Sequence, residues 1–276
     1  MYRLLAIDID GTLINSRGEL TPATRAAIRR AADRGVQVVL ATGRRYGHAL
    51  PLFRMLEIDA PMVTASGTLI KNPRDHGTLY QSRFEPAVLH QAVAIVDRCG
   101  YDPLLCADTF AEGFDYYYAT EKVRTPELAQ YIERNPGRGR LWPDLVANPP
   151  PDVFAGFAVG AREQMDSVEA ALRREMPGLL HTHVLHPPHY TGFVVEIAPA
   201  GVTKWSAVRR LAEQWGIGED EICAVGDDVN DIPMIRAAGL GVAMGNALPE
   251  VKAAADRVAP THDDNGLVQV VDWALA

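Results

Sequence analysis

Three short apolar runs, LLAI (residues 4–7), VQVVLA (36–41) and PMVT (61–64), recur in the first 65 residues with a helical segment between each pair. Near-continuous apolar strands alternating with helices imply a parallel sheet covered on both faces. Ligands of such doubly wound sheets sit beyond the carboxyl ends of the strands. The segment TPATRAAIRRAADRG (21–35) carries helix punctuation, with Thr21 as N-cap, Pro22 in the first turn and Gly35 as the stop. A second helix, expected to break or bend near Pro51, leads to the third strand. The pattern resumes after Gly201 with a helix, the strand ICAVG (222–226), a short helix and GLGVAMG (239–245).

Between these halves the pattern is less regular. FDYYYAT (114–120) and VFAGFAVG (153–160) read as strands, residues 86–98 and 162–175 as helices, and NPGRGRLWPDLVANPPPD (135–152) as loop. The expected fold class is therefore α/β, a doubly wound parallel sheet with an inserted smaller α+β domain. The core is expected at 1–82 plus 196–276 and the insertion at 83–195.

With 276 residues, 47% of them hydrophobic, the chain can bury a full core and two domains. No apolar run reaches the length of a membrane span, and the N-terminus lacks a signal-peptide pattern. Cys99, Cys106 and Cys223 are scattered and odd in number, which argues against a disulfide framework and suits a reducing cytoplasm. A net charge of −8 argues against a nucleic-acid partner, since the phosphate backbone demands a basic face. No membrane partner and no obligate protein partner is evident; a small anionic substrate needs only a few local donors.

The first strand ends in DIDGTL (8–13), so Asp8 and Asp10, two apart on a strand, point to one side. At roughly 4 Å and an effective dielectric near 20, their charges repel by about 4 kcal/mol. That is on the order of three pKa units, enough to keep one protonated unless a cation intervenes. A solvated strand end, a cation site and an acid/base pair all fit at this point. GDDVND (226–231) brings Asp227, Asp228 and Asp231 to the same rim, as an acidic capped turn or as further ligands. Clustered carboxylates without histidine or cysteine suit a hard cation, Mg²⁺ best. In GVTKWSAVRRLAEQWG (201–216), Thr203 reads as N-cap and Lys204 falls in the first turn, where a cation opposes the helix dipole. It is either solvated there or shares an anion with the helix start. Thr42 and Gly43 add a hydroxyl and a flexible backbone donor, as a phosphate cradle needs.

In order and spacing, DIDGTL, ATGR (41–44), Lys204 and GDDVND resemble the four motifs of the haloacid dehalogenase superfamily of phosphohydrolases, over essentially the whole chain. The Cof-type branch is the closest, for it also carries MGNA (here 244–247) and a following EVKAAAD (250–256). A late T…DG stretch of that branch is altered here to THDDNG (261–266), and TASG (64–67) stands where many relatives have an Asn-Gly pair. The resemblance implies Asp8 as nucleophile, Asp10 as general acid and base, and Lys204 as catalytic cation. Thr42, Gly43, Lys204 and Asn230 would hold the phosphoryl oxygens. Mg²⁺ would be bound by Asp8, the carbonyl of Asp10, Asp227 and Asp231. The implied activity is a phosphatase acting on small phosphorylated metabolites such as sugar phosphates, nucleotides or phosphorylated cofactors, through an aspartyl phosphate.

Asp10 argues against dehalogenation, because true dehalogenases of the superfamily lack it. Only about 33 residues separate Asp8 from Thr42, too few for a cap there, so the cap falls between Thr42 and Lys204. A phosphomannomutase-like phosphotransferase shares that layout, and a non-catalytic sensor of phosphometabolites is the alternative of another class. An insertion of more than 100 residues at this rim is expected to act as a lid, with Arg83, His186, His189 and Tyr190 as candidates for substrate contact. HTHVLHPPHY (181–190) could bind metal, touch substrate or form plain surface; YYY (116–118) is expected to be strand packing.

Overall fold

A computed structural model describes residues 1–187 and 190–276. The chain begins with β1 (Leu4–Ile7), α1 (Pro22–Asp33), β2 (Gln37–Ala41), α2 (Tyr46–Leu56), β3 (Met62–Thr64), β4 (Leu69–Lys71) and β5 (Thr78–Gln81). Thr21 caps α1 by accepting from the Thr24 amide. Of the break or bend expected near Pro51, the break is absent: one helix runs through that residue. A proline removes one internal hydrogen bond, and here Ala49, Leu50, Phe53 and Leu56 bury that helix's apolar side.

The middle of the chain adds α3 (Pro86–Arg98), β6 (Leu104–Ala107), β7 (Tyr116–Tyr118), α4 (Pro126–Arg134), β8 (Gly139–Leu141), β9 (Val153–Gly160), α5 (Arg162–Glu175), β10 (Leu180–Leu185) and β11 (Phe193–Pro199). Its six strands form one sheet in the order β10-β11-β9-β6-β7-β8. The strand β8 lies inside the stretch expected to be loop; it is a three-residue edge strand paired parallel to β7, too short to show an alternating pattern in the sequence. Tyr116 is fully buried against Tyr131 and Phe157, as strand packing requires. Helices α3 and α5 cover one side through Ile95, Val96, Met165, Val168 and Leu172.

The chain then returns with α6 (Lys204–Gln214), β12 (Ile222–Gly226), α7 (Ile232–Ala237), β13 (Leu240–Ala243), α8 (Pro249–Ala254), β14 (Arg257–Val258) and α9 (Gly266–Leu275). These join the first strands in an eight-stranded sheet ordered β14-β13-β12-β1-β2-β3-β4-β5. The two compact units are Met1–Tyr80 with Thr203–Ala276, and Gln81–Val202. All of β11 pairs with β9 and β10, so the second unit extends past residue 195. Among the described residues, no helix is long and apolar enough to cross a membrane.

In the first unit the strands from β14 to β3 run parallel, and β3 and β4 pair antiparallel. The chain winds outward from β1 through β2 and β3, then from β12 through β13 and β14. Strand β1 is thus central, with β2 and β12 on either side, and the winding direction reverses between β1 and β12. A crevice at the carboxyl ends forms at such a reversal. Helix α6 packs Ala207, Val208 and Leu211 with Leu4, Ala6, Val39 and Ala224. That packing brings the start of α6 to the same rim.

Candidate active site

Strand register decides which side chains meet. Ile7 stands opposite Leu40 and Val225, and the Asp8 amide continues the ladder to the Val225 carbonyl at 3.1 Å. Asp8, Thr42 and Asp227 therefore leave three adjacent strands within one or two residues of each other. Past Asp8 the chain turns tightly, with Gly11 at φ 75°. A Cβ on Gly11 would lie 2.0 Å from an Asp227 oxygen. Only glycine permits both the left-handed turn and that approach.

Lys204 is the hub. Its Nζ donates to Asp8 Oδ1 at 2.6 Å and to Asp231 Oδ1 at 2.7 Å. Lys204, Asp8 and Asp231 are all buried, the last completely. Thr203 caps α6 by accepting from the Ser206 amide. The TASG loop abuts that cap: Ala65 and Ser66 have φ of 47° and 55°, and a Cβ on Gly67 would lie 2.1 Å from the Thr203 carbonyl. Two consecutive non-glycine residues in the left-handed region store strain of the kind that clusters at functional sites.

Ligand oxygens of Asp8, Asp227 and Asp231 lie within 4.8 Å of one another, the one such group of potential ligands among the described residues. Burial raises the Asp8 carboxyl above its ordinary range; Lys204 pulls it back, while Asp231 and Asp10 push it further up. Burial likewise raises Asp227, and Asp8, Asp231 and Asp228 add to the rise. Burial opposes the Lys204 charge, but Asp231 and Asp8 outweigh it and hold the ammonium above the usual lysine range. One lysine thus falls short of neutralising three carboxylates, and an all-oxygen donor set with that deficit fits a hard divalent cation. Asp231 is already engaged: its Oδ2 accepts from the Asp227 and Asp228 amides at 3.0 and 3.1 Å. It braces the loop as well as facing Lys204.

Asp10 stands apart from this cluster. Arg44 grips its carboxylate with Nε at 2.7 Å and Nη2 at 2.6 Å. The motif ATGR contains Arg44, yet its partner is 34 residues away and local pattern does not reveal it. Thr42 is fully buried and its hydroxyl accepts from the Arg44 amide at 3.1 Å; Gly43 lies between them and is half-buried. Asn230 is buried, its Nδ2 3.4 Å from Ser66 Oγ, and its Oδ1 has no partner. A buried amide oxygen without a partner costs free energy unless something else satisfies it. Asn246, of the MGNA stretch, also reaches the site.

In the second unit, His181 and His183 share a strand face, their rings 5.5 Å apart, and His183 pairs with Glu196 at 2.8 Å. His186 rests on Phe193, and the Tyr190 hydroxyl accepts from Asn135. His189 lies outside the described residues.

The profile of haloacid dehalogenase-like hydrolases matches residues 5–271. The chain belongs to that family. Phosphatase YwpJ of Bacillus subtilis strain 168 is 31% identical, over 99% of this chain and 100% of its own. The 5-amino-6-(5-phospho-D-ribitylamino)uracil phosphatase YcsE of the same organism is 30% identical over 99% and 96%. Among solved structures, a haloacid dehalogenase-like hydrolase from Bacteroides thetaiotaomicron superposes with a TM-score of 0.80 at 26% identity, covering 99% of each chain. The resemblance read from the four motifs is borne out, as is the α/β fold class. These relatives are named phosphatases, and the chain is a phosphoric monoester hydrolase, as expected.

Proposed function

We propose that this phosphatase hydrolyses small phosphorylated metabolites through an aspartyl phosphate on Asp8, with Mg²⁺ as cofactor. The observation that carries the reading is the buried Lys204 bridging Asp8 and Asp231, with Asp227 inside the same cluster. An anionic nucleophile facing a phosphate dianion needs this concentration of positive charge.

An Asp8 oxygen attacks phosphorus and the bond to the leaving alkoxide oxygen breaks. Asp10, its carboxyl turned out of the Arg44 fork and carrying a proton, gives that proton to the oxygen, so an alcohol departs. Asp10 then takes a proton from the water that attacks the phosphoryl group, the bond to Asp8 breaks, and phosphate leaves. Lys204 offsets the charge between Asp8 and the phosphoryl oxygens, while Thr42, Gly43 and Asn230 hold those oxygens. Asp8, Asp227 and the Asp10 carbonyl would hold Mg²⁺, with Asp231 acting directly or through water while it braces the Asp227 loop. When bound, the ion supplies charge neutralisation and alignment of the phosphoryl group. The second unit, Gln81–Val202, is proposed as the cap that selects the leaving group. YcsE is named for a phosphorylated ribitylamino compound, which supports a small diffusible ester as substrate.

The test is a screen of phosphorylated metabolites and phosphopeptides with Mg²⁺ and phosphate release as readout. Turnover of small esters that vanishes with chelator and returns with Mg²⁺ is expected. Full turnover in excess chelator overturns the metal role, and activity confined to phosphopeptides overturns the substrate class. Phosphoryl transfer to a sugar without phosphate release would make the chain a mutase-like transferase.

A further inference from the structure

We propose that Asn246 is a positioning residue that sets the orientation of Asp227 for its cation. The inference rests on the reading of Asp227 as a Mg²⁺ ligand and assigns a task to the MGNA stretch, which the reaction steps leave unused. Three loops that leave the rim meet at this one amide. Its Nδ2 donates to the Gly11 carbonyl at 2.8 Å and lies 3.4 Å from Asp227 Oδ2. Its Oδ1 accepts from the His262 amide at 3.0 Å. The nitrogen thus faces two acceptors and the oxygen a donor, so chemistry fixes which way round the amide sits.

The backbone ties the same parts together. The Leu248 amide donates to the Asp227 carbonyl at 3.1 Å and the Met244 amide to the Gly226 carbonyl at 3.0 Å. On its other oxygen Asp227 accepts from the Thr12 hydroxyl at 3.3 Å. Both side-chain donors on Asp227 are neutral. A lysine or arginine in either place would pair with the carboxylate and compete with a divalent cation for it. A neutral amide orients the carboxylate and leaves its charge for the metal. Partners of this kind behind a metal ligand change affinity by roughly 10–100-fold when removed.

The experiment is calorimetric titration of Mg²⁺ into the substrate-free wild type, Asn246→Ala, Asn246→Ser and Asp227→Asn, with circular dichroism as the check on folding. Asn246 is half-buried, and both smaller side chains fit there without reaching Gly11 or Asp227. Both Asn246 variants should bind Mg²⁺ about tenfold more weakly, while Asp227→Asn loses binding. In turnover, saturating Mg²⁺ should return kcat to within a few-fold of wild type, with KM for the ester little changed. A role confined to holding the fold would lower the urea midpoint and leave the Mg²⁺ affinity of the folded protein unchanged. Wild-type affinity in a folded Asn246→Ala or Asn246→Ser protein overturns the proposal and leaves the metal reading intact. Absence of Mg²⁺ binding in wild type overturns both.

Discussion

Arg44 closes on Asp10 as a two-pronged fork, one nitrogen to each carboxylate oxygen, at 2.7 and 2.6 Å. The pair fixes the carboxyl in direction as well as position, since a planar guanidinium meets a carboxylate edge to edge. Each partner is about a quarter exposed, so the pair is open to solvent, unlike the buried Lys204 cluster.

If Asp10 takes up a proton as the fork opens and then serves as general acid, losing Arg44 leaves the carboxyl unplaced, which should matter most where the leaving group most needs a proton. Arg44→Ala should slow hydrolysis of an alkyl phosphate by about tenfold or more, and of p-nitrophenyl phosphate much less. Arg44→Lys should not rescue the alkyl substrate, because an ammonium cannot form the fork. Equal losses on the two substrates would show that Arg44 acts on the phosphoryl group rather than through Asp10.

Lys204→Ala leaves Asp8 and Asp231 buried and uncompensated. Breaking a buried pair by removing one partner costs about 3–5 kcal/mol, which urea unfolding would register as a lower midpoint. Mg²⁺ should restore part of that stability, because it binds the folded site and not the unfolded chain. The rate should fall by about a hundredfold or more even with saturating Mg²⁺. A variant as stable as wild type in the absence of metal would contradict the charge balance described for the site.

Much of the first unit was legible because its signals are local. The apolar runs of β1, β2, β12 and β13, the Thr21 and Thr203 caps and the acidic strand ends each show within a few residues. Their convergence followed from one further rule, that a doubly wound sheet gathers its ligands at the carboxyl ends. What stayed hidden depends on pairs far apart in the chain. Arg44 with Asp10, Asn246 with Gly11 and Asp227, and Ser66 with Asn230 meet only once the strands are in register. The left-handed Ala65 and Ser66 were equally invisible, since neither residue type signals that conformation. In the second unit, β8 is too short and too exposed to write a period into the sequence.

Burial pushes the His181 imidazole down to about 4, with His183 and Arg173 adding to the effect and Glu196 opposing it. An unfolded chain protonates this histidine near its ordinary value of about 6.5. Between those values the unfolded state holds a proton that the folded state lacks. Stability contributed by neutral His181 is therefore present above about pH 6.5 and is lost as pH falls towards about 4. His181→Gln should flatten the decline in urea midpoint between about pH 7 and 4.5. An unchanged pH slope would mean that other groups carry the acid limb.

The central claim is that the phosphoryl group passes through Asp8. The direct measurement is rapid acid quench of enzyme turning over a phosphate ester labelled in its phosphoryl group, followed by mass spectrometry of the peptide containing residues 4–13. Wild type should carry label on Asp8 during turnover and lose it when substrate is exhausted, while folded Asp8→Asn should carry none and release no phosphate. Phosphate release by Asp8→Asn at an appreciable fraction of the wild-type rate, or label on another residue, would contradict the claim.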